Sequence, residues 1–99
     1  VPNKPNEIVW CPNSGHRIWC NELSEDGLEI REYNRNEQSR GEHVERYLSD
    51  NQRRVTFFRE EDELGFRFYR FVGVFELNKE KSEKENKCVW ERISDYYQL

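Results

Sequence analysis

The sequence predicts an α+β domain: a small, strongly curved antiparallel β-sheet or partial β-barrel with one or two short helices. Three observations lead there. Five or six short runs alternate apolar and polar residues and are separated by turn-forming clusters. Only two segments could be helical, and both are short. Residues 53–77, RRVTFFREEDELGFRFYRFVGVFEL, hold all six phenylalanines, one tyrosine and five arginines, which makes this stretch both the core and the working surface. The 99 residues make one domain, and with 34% apolar and 36% charged residues its core must be thin. Aromatic residues, at 14%, close such a core with few side chains and set the chain apart from disordered sequences.

Residues 1–7 form a lead-in with two prolines. The N-terminal strands occupy 8–33. IVWC (8–11) and HRIWC (16–20) are expected to form a hairpin around PNSG, with Cys11 facing His16. A turn, SEDG, leads to LEIREY (28–33), where Leu28, Ile30 and Glu32 share one face. Residues 34–52 combine a wholly polar loop, 34–41, with a helix over 42–50, whose Val44, Tyr47 and Leu48 make one apolar stripe. Its His43, beside Arg46, is expected to be solvated. The central hairpin, 53–77, pairs a strand over 54–59 with a longer one over 66–77 through a charged turn, where Gly65 supplies a positive φ. Gly73 marks a bulge, a tight bend, or a place where backbone or a flipped base comes close. The charged insert, 78–87, is a solvated helix capped by Asn78 or a long loop. Residues 88–99 are the last strand and a tail.

The formal net charge of −4 argues against a generic polyanion binder, but local clustering decides contact with nucleic acid. Arginine outnumbers lysine 11 to 5, and its planar fork suits phosphate, base edges and stacking on rings. Arg54, Arg59, Arg67, Tyr69, Arg70, Trp90 and Arg92 could line one sheet face as a nucleic-acid-binding stripe. The competing expectation is that these arginines pair across strands with Glu60, Glu61, Glu76 and Glu91. No run is long enough for a membrane helix and no secretory signal is present, so a cytoplasmic setting is expected. The chain starts at Val1 and lacks methionine, so the expectation is a domain of a longer protein.

Cys11, His16, Cys20 and Cys88 are four soft donors, but their spacing matches no zinc knuckle and no metal or other cofactor is expected. The odd cysteine count gives no disulfide framework. There is no nucleophile motif, phosphate loop or dinucleotide turn, and the acids at 60–63 read as a solvated turn. The expectation is therefore a recognition module, not an enzyme.

The order of strand, turn, long aromatic strand ending YRFVGVFELN, charged insert and CVWERIS resembles the β-core of PUA-like domains. Within that group it is most similar to the SRA-type and EVE-type modules that read modified bases and are fused to bacterial restriction endonucleases. The resemblance covers roughly the second half of the chain. The YDG signature of eukaryotic SRA domains is absent, so no pocket residue is carried over by position. The resemblance implies a curved barrel whose concave face holds double-stranded DNA and accepts a flipped base. Trp10, Trp19 and Tyr33 then become candidates for ring contacts to the base, with a role as core aromatics still open for each. The expected function is DNA recognition in a restriction or defence protein. A protein-interaction domain using a strand edge or aromatic face is the alternative.

Overall fold

The computed structural model of the chain describes residues 7–13, 18–48 and 51–97. Its strands are β1 (Glu7–Trp10), β2 (Trp19–Leu23), β3 (Glu29–Asn34), β4 (Arg53–Glu61), β5 (Arg67–Leu77) and β6 (Cys88–Ser94). Helix α1 (Arg40–Leu48) follows a single 3-10 turn, and α2 (Lys79–Glu85) joins β5 to β6. The strands form one open six-stranded sheet in the order β1-β4-β5-β6-β3-β2. This is the α+β curved-sheet architecture expected, and no helix among the described residues is long and apolar enough to cross a membrane.

The central hairpin forms because its two strands alternate locally and its turn is built from its own residues. Asp62 accepts backbone N–H bonds from Leu64 and Phe66 at 2.9 Å each, and Gly65 takes φ 85°. Between Thr56 and Phe57 the register shifts, and a second shift on the other side of β5 falls between Val74 and Phe75. Gly73 sits between these two irregularities at φ 133°, a backbone state that side chains rarely adopt. A Cβ there would lie 2.6 Å from Cδ of Arg92 and 2.7 Å from the Ser94 carbonyl. The bend was legible, but the space over Gly73 is filled by Arg92, so no base can lie on it.

Two local readings are corrected. β1 does not form a hairpin with the next strand: it pairs parallel with β4, Glu7 opposite Arg53 through Trp10 opposite Thr56, while β2 pairs with β3. The chain after β1 continues along β4, where the Arg59 N–H donates to the Pro12 carbonyl at 3.1 Å. That course brings Trp10 within 5.6 Å of Trp90, a ring contact that a local hairpin would forgo. His16, and with it the expected Cys11–His16 pairing, lies outside the described residues. The second correction concerns the helix, which starts at Arg40, inside the segment expected to be loop. Asn36 caps the preceding 3-10 turn by accepting from the Gln38 N–H.

The core is the cluster of Ile30, Val44, Phe58, Val72, Phe75, Leu77, Cys88 and Trp90, with Trp10, Leu23, Tyr47 and Leu48 packed against it. α1 closes one face of the sheet through the expected Val44, Tyr47 and Leu48 stripe. His43 joins them as a buried residue, contrary to its expected solvated position. The charged insert is the capped helix, not a loop. The Asn78 side chain accepts from the Lys81 N–H, and Asn86 ends the helix in the left-handed conformation at φ 56°. Fully buried Ser82 docks it, donating to the Asn78 carbonyl at 2.7 Å and accepting from the Val89 N–H at 2.9 Å.

Candidate functional site

β1 and β2 are opposite edges of the sheet, yet curvature brings them together. The Asn21 side-chain amide on β2 donates to the Asn13 carbonyl just beyond β1 at 3.1 Å. Between the two edges and α1 lies an open cavity of about 370 Å³, lined by Trp10 to Asn13, Trp19, Asn21, Glu32, His43, Arg46 and Tyr47. That volume falls within the range of small-ligand sites, and rings with a few polar groups are their usual lining.

The polar groups are held in definite states. Asn21 is buried, and while its nitrogen is committed to Asn13, its oxygen has no hydrogen-bond partner among the described residues. A buried acceptor left unmatched costs about 1–3 kcal/mol, so this oxygen marks a strained polar spot beside the cavity. On β3, the Oε1 atom of Glu32 accepts from the indole N–H of Trp90 at 3.2 Å. The same oxygen lies 3.8 Å from Nε2 of His43 and 4.0 Å from Nη1 of Arg54. Burial pushes the Glu32 carboxyl above the usual carboxylate range, against the opposing pull of Arg54 and the Trp90 bond.

His43 packs against Trp19 at a tilt, with ring centres 4.5 Å apart, and meets Tyr47 edge-on at 5.1 Å. Burial first, then the charges of Arg46 and Arg54, lowers its pKa to about 4, so the imidazole is neutral near pH 7. Its Nδ1 lies 3.7 Å from the sulfur of Cys88. This sulfur–imidazole–carboxylate alignment has the order of a nucleophile relay, but Cys88 is fully buried and desolvation pushes its thiol up to about 12. Donor atoms of Glu32, His43 and Cys88 also lie within 4.8 Å of one another. A protonated thiol and a guanidinium already beside the carboxylate fit a hydrogen-bonded cluster better than a cation site. Of the expected sulfur donors, Cys11 is exposed, Cys20 is half-buried and Cys88 lies in the core.

The expected arginine–aromatic stripe is split by the fold. Arg54 is 4% exposed, with its guanidinium carbon 3.9 Å from the ring centre of Trp90, 4.8 Å from Trp10 and 5.0 Å from Tyr47. Trp90 has no exposed surface at all. Neither can touch a phosphate in this arrangement. Arg67, Tyr69 and Arg70 are exposed on the distal hairpin, where Arg70 binds Glu60 at 2.6 Å, as the competing expectation has it. Arg92 is half-buried against Gly73. Of the three ring candidates, Trp10 and Trp19 line the cavity together. Tyr33 does not: its hydroxyl bonds Glu22, and Arg40 and Lys87 sit over its ring.

Asn21, His43, Arg46 and Tyr47 are cavity residues that sequence reasoning passed over. For Glu32 a signal existed, since an acid sharing the apolar face of Ile30 is out of place unless that face has a polar task.

The family model of the SET and RING associated (SRA) domain matches residues 1–99. No curated protein sequence matches the chain. Among solved structures the chain is similar to the 5-hydroxymethylcytosine-specific restriction enzyme AbaSI, with a TM-score of 0.81 and 30% identity. The match covers 96% of this chain and 30% of that one, so it takes in nearly all of this domain and a minor part of the enzyme. The curved sheet with its edge-to-edge cleft and the family match over the whole chain agree: this chain belongs to the SRA domain family, among the PUA-like folds.

Proposed function

We propose that the domain is the DNA-reading module of a restriction or defence protein and takes a 5-modified cytosine, flipped from double-stranded DNA, into the cleft between β1 and β2. The observation that carries this reading is the ring-lined cavity of a family member, walled by Trp10, Trp19 and Tyr47 together with the Glu32 carboxyl. Trp10, Trp19 and Tyr47 offer faces and edges to a base removed from its stack. Glu32 on the cavity wall offers an acceptor, which suits the exocyclic amine that distinguishes cytosine from the keto pyrimidines. Arg46, exposed at the rim, can meet the phosphate of the extruded nucleotide. The name of the similar enzyme, specific for 5-hydroxymethylcytosine, makes that base the first to test. Any strand cleavage would fall to another part of the protein, because the nucleophile aligned with a histidine among the described residues is a buried, protonated thiol.

The test is a titration of the domain against matched duplexes carrying cytosine, 5-methylcytosine or 5-hydroxymethylcytosine at low and moderate salt. Tighter binding to one modified duplex, weakened by salt and by Trp19→Ala or Asn21→Ala, is the expected result. Equal affinity for all three duplexes would reduce the domain to a generic DNA binder. Absence of binding even at low salt would remove the DNA reading altogether.

A further inference from the structure

Arg54 is an unusual cation. It is buried, three rings surround its guanidinium, and its Nε atom has no hydrogen-bond partner among the described residues. Its nearest acid, Glu32, is 4.0 Å away, beyond an ordinary charge-assisted hydrogen bond. A bidentate pair would occupy both carboxylate oxygens. Standing back, Arg54 supplies a positive field and leaves the lone pairs of Glu32 to other donors. The remaining groups facing Glu32 are the Trp90 indole and Cys88 thiol from β6, and His43 from α1 with Arg46 farther out at the rim. The thiol and imidazole are neutral near pH 7, so Arg54 is the buried positive charge among the described residues around this carboxyl.

We propose that Arg54 is the positioning residue of the cleft: ringed by Trp10, Tyr47 and Trp90 and standing 4.0 Å from Glu32, it keeps Glu32 a carboxylate whose lone pairs remain open to the base. The functional half of this inference rests on the base-reading assignment above; the electrostatic half does not. A carboxylate only accepts hydrogen bonds and therefore selects an amino pyrimidine. A protonated Glu32 could donate and would admit a keto pyrimidine as well. The same charge adds to burial and to Arg46 in disfavouring protonation of His43, so the buried guanidinium acts on both neighbouring groups of the cavity wall.

The experiment compares the wild-type domain with Arg54→Met and Arg54→Lys. Carbon-13 NMR follows the Glu32 carboxyl in the free domain, and binding is measured from pH 5 to 8.5 with duplexes carrying 5-hydroxymethylcytosine or 5-hydroxymethyluracil. In Arg54→Met the Glu32 midpoint should rise by about one pH unit or more, while Arg54→Lys stays near wild type. The acid limb of binding should move up with it, and preference for the amino base should fall by about tenfold. An unchanged Glu32 midpoint in Arg54→Met would overturn the inference. Should that variant fail to fold, Glu32→Gln decides. It should flatten the acid limb, and a limb identical to wild type would show that the carboxylate is not the group Arg54 serves. A shifted Glu32 midpoint with no binding to any modified duplex would leave the electrostatic role standing and end the base-reading assignment.

Discussion

Two regions of this molecule carry the same sequence signature, arginine interleaved with aromatic rings, and use it in opposite ways. At the distal end of the β4–β5 hairpin, Phe66 and Tyr69 are 67% and 56% exposed, and Arg70 is neutralised by Glu60 across the strands. Behind the cleft wall, Arg54 lies among Trp10, Tyr47 and Trp90 with an acid 4.0 Å away. The solvated pair is interchangeable with water and salt. The buried cation is not, because nothing but the rings and one carboxylate compensates it. The position of an arginine, more than its neighbours in sequence, therefore decides whether its charge remains available to a ligand.

Three substitutions sharpen this contrast. The largest effect belongs to Trp90→Ala, which removes a fully buried ring that meets Trp10, Tyr47 and Arg54 at once. A loss of about 3–5 kcal/mol in denaturant unfolding is expected, and a loss below about 1 kcal/mol would break the picture of a ring-held cation. His43 comes next. Its folded pKa, lowered to about 4, lies below the unfolded value, so the unfolded chain takes up a proton that the folded one refuses. Its contribution is present above about pH 6.5 and is lost as pH falls toward 4, by at most roughly 3 kcal/mol. Glu32, with its raised pKa, works against this, its contribution being lost as pH rises. Comparing wild type with His43→Gln isolates the histidine part: the variant should lack that acid-side decline. The smallest effect is Arg70→Ala, expected to cost less than about 1 kcal/mol and to lose even that in high salt.

What could be read from the sequence follows the reach of the interactions involved. The charged turn with Gly65 and the Val44–Tyr47–Leu48 stripe depend on residues a few positions apart and were legible, while the Asn78 cap was legible as one of two alternatives, helix or loop. The bend at Gly73 was legible too, although the identity of what fills it was not, because Arg92 arrives from another strand. The partner of β1 lies far along the chain, and local turn chemistry at residues 12–15 pointed to the wrong neighbour. The cleft suffered most. Trp10 and Trp19 were singled out as rings, but their meeting depends on closure between opposite sheet edges. The state of Asn21 depends on the Asn13 carbonyl arriving from the far side, which no local pattern encodes. Arg54 looked like a surface contact for the same reason: its alternation predicts a face, not which helix will cover it.

The edge-to-edge origin of the cleft has a kinetic consequence. The β4–β5 and β2–β3 hairpins close short loops, whereas β1 on β4 and β3 on β6 must each join distant segments. Such pairings form late, after the entropy of closing long loops has been met. The cleft exists only once both are in place, so it is expected to assemble at the end of folding. Quenching of Trp10 and Trp19 fluorescence should lag behind formation of sheet signal during refolding. Coincident traces would mean that the two edges find each other before the hairpins are complete.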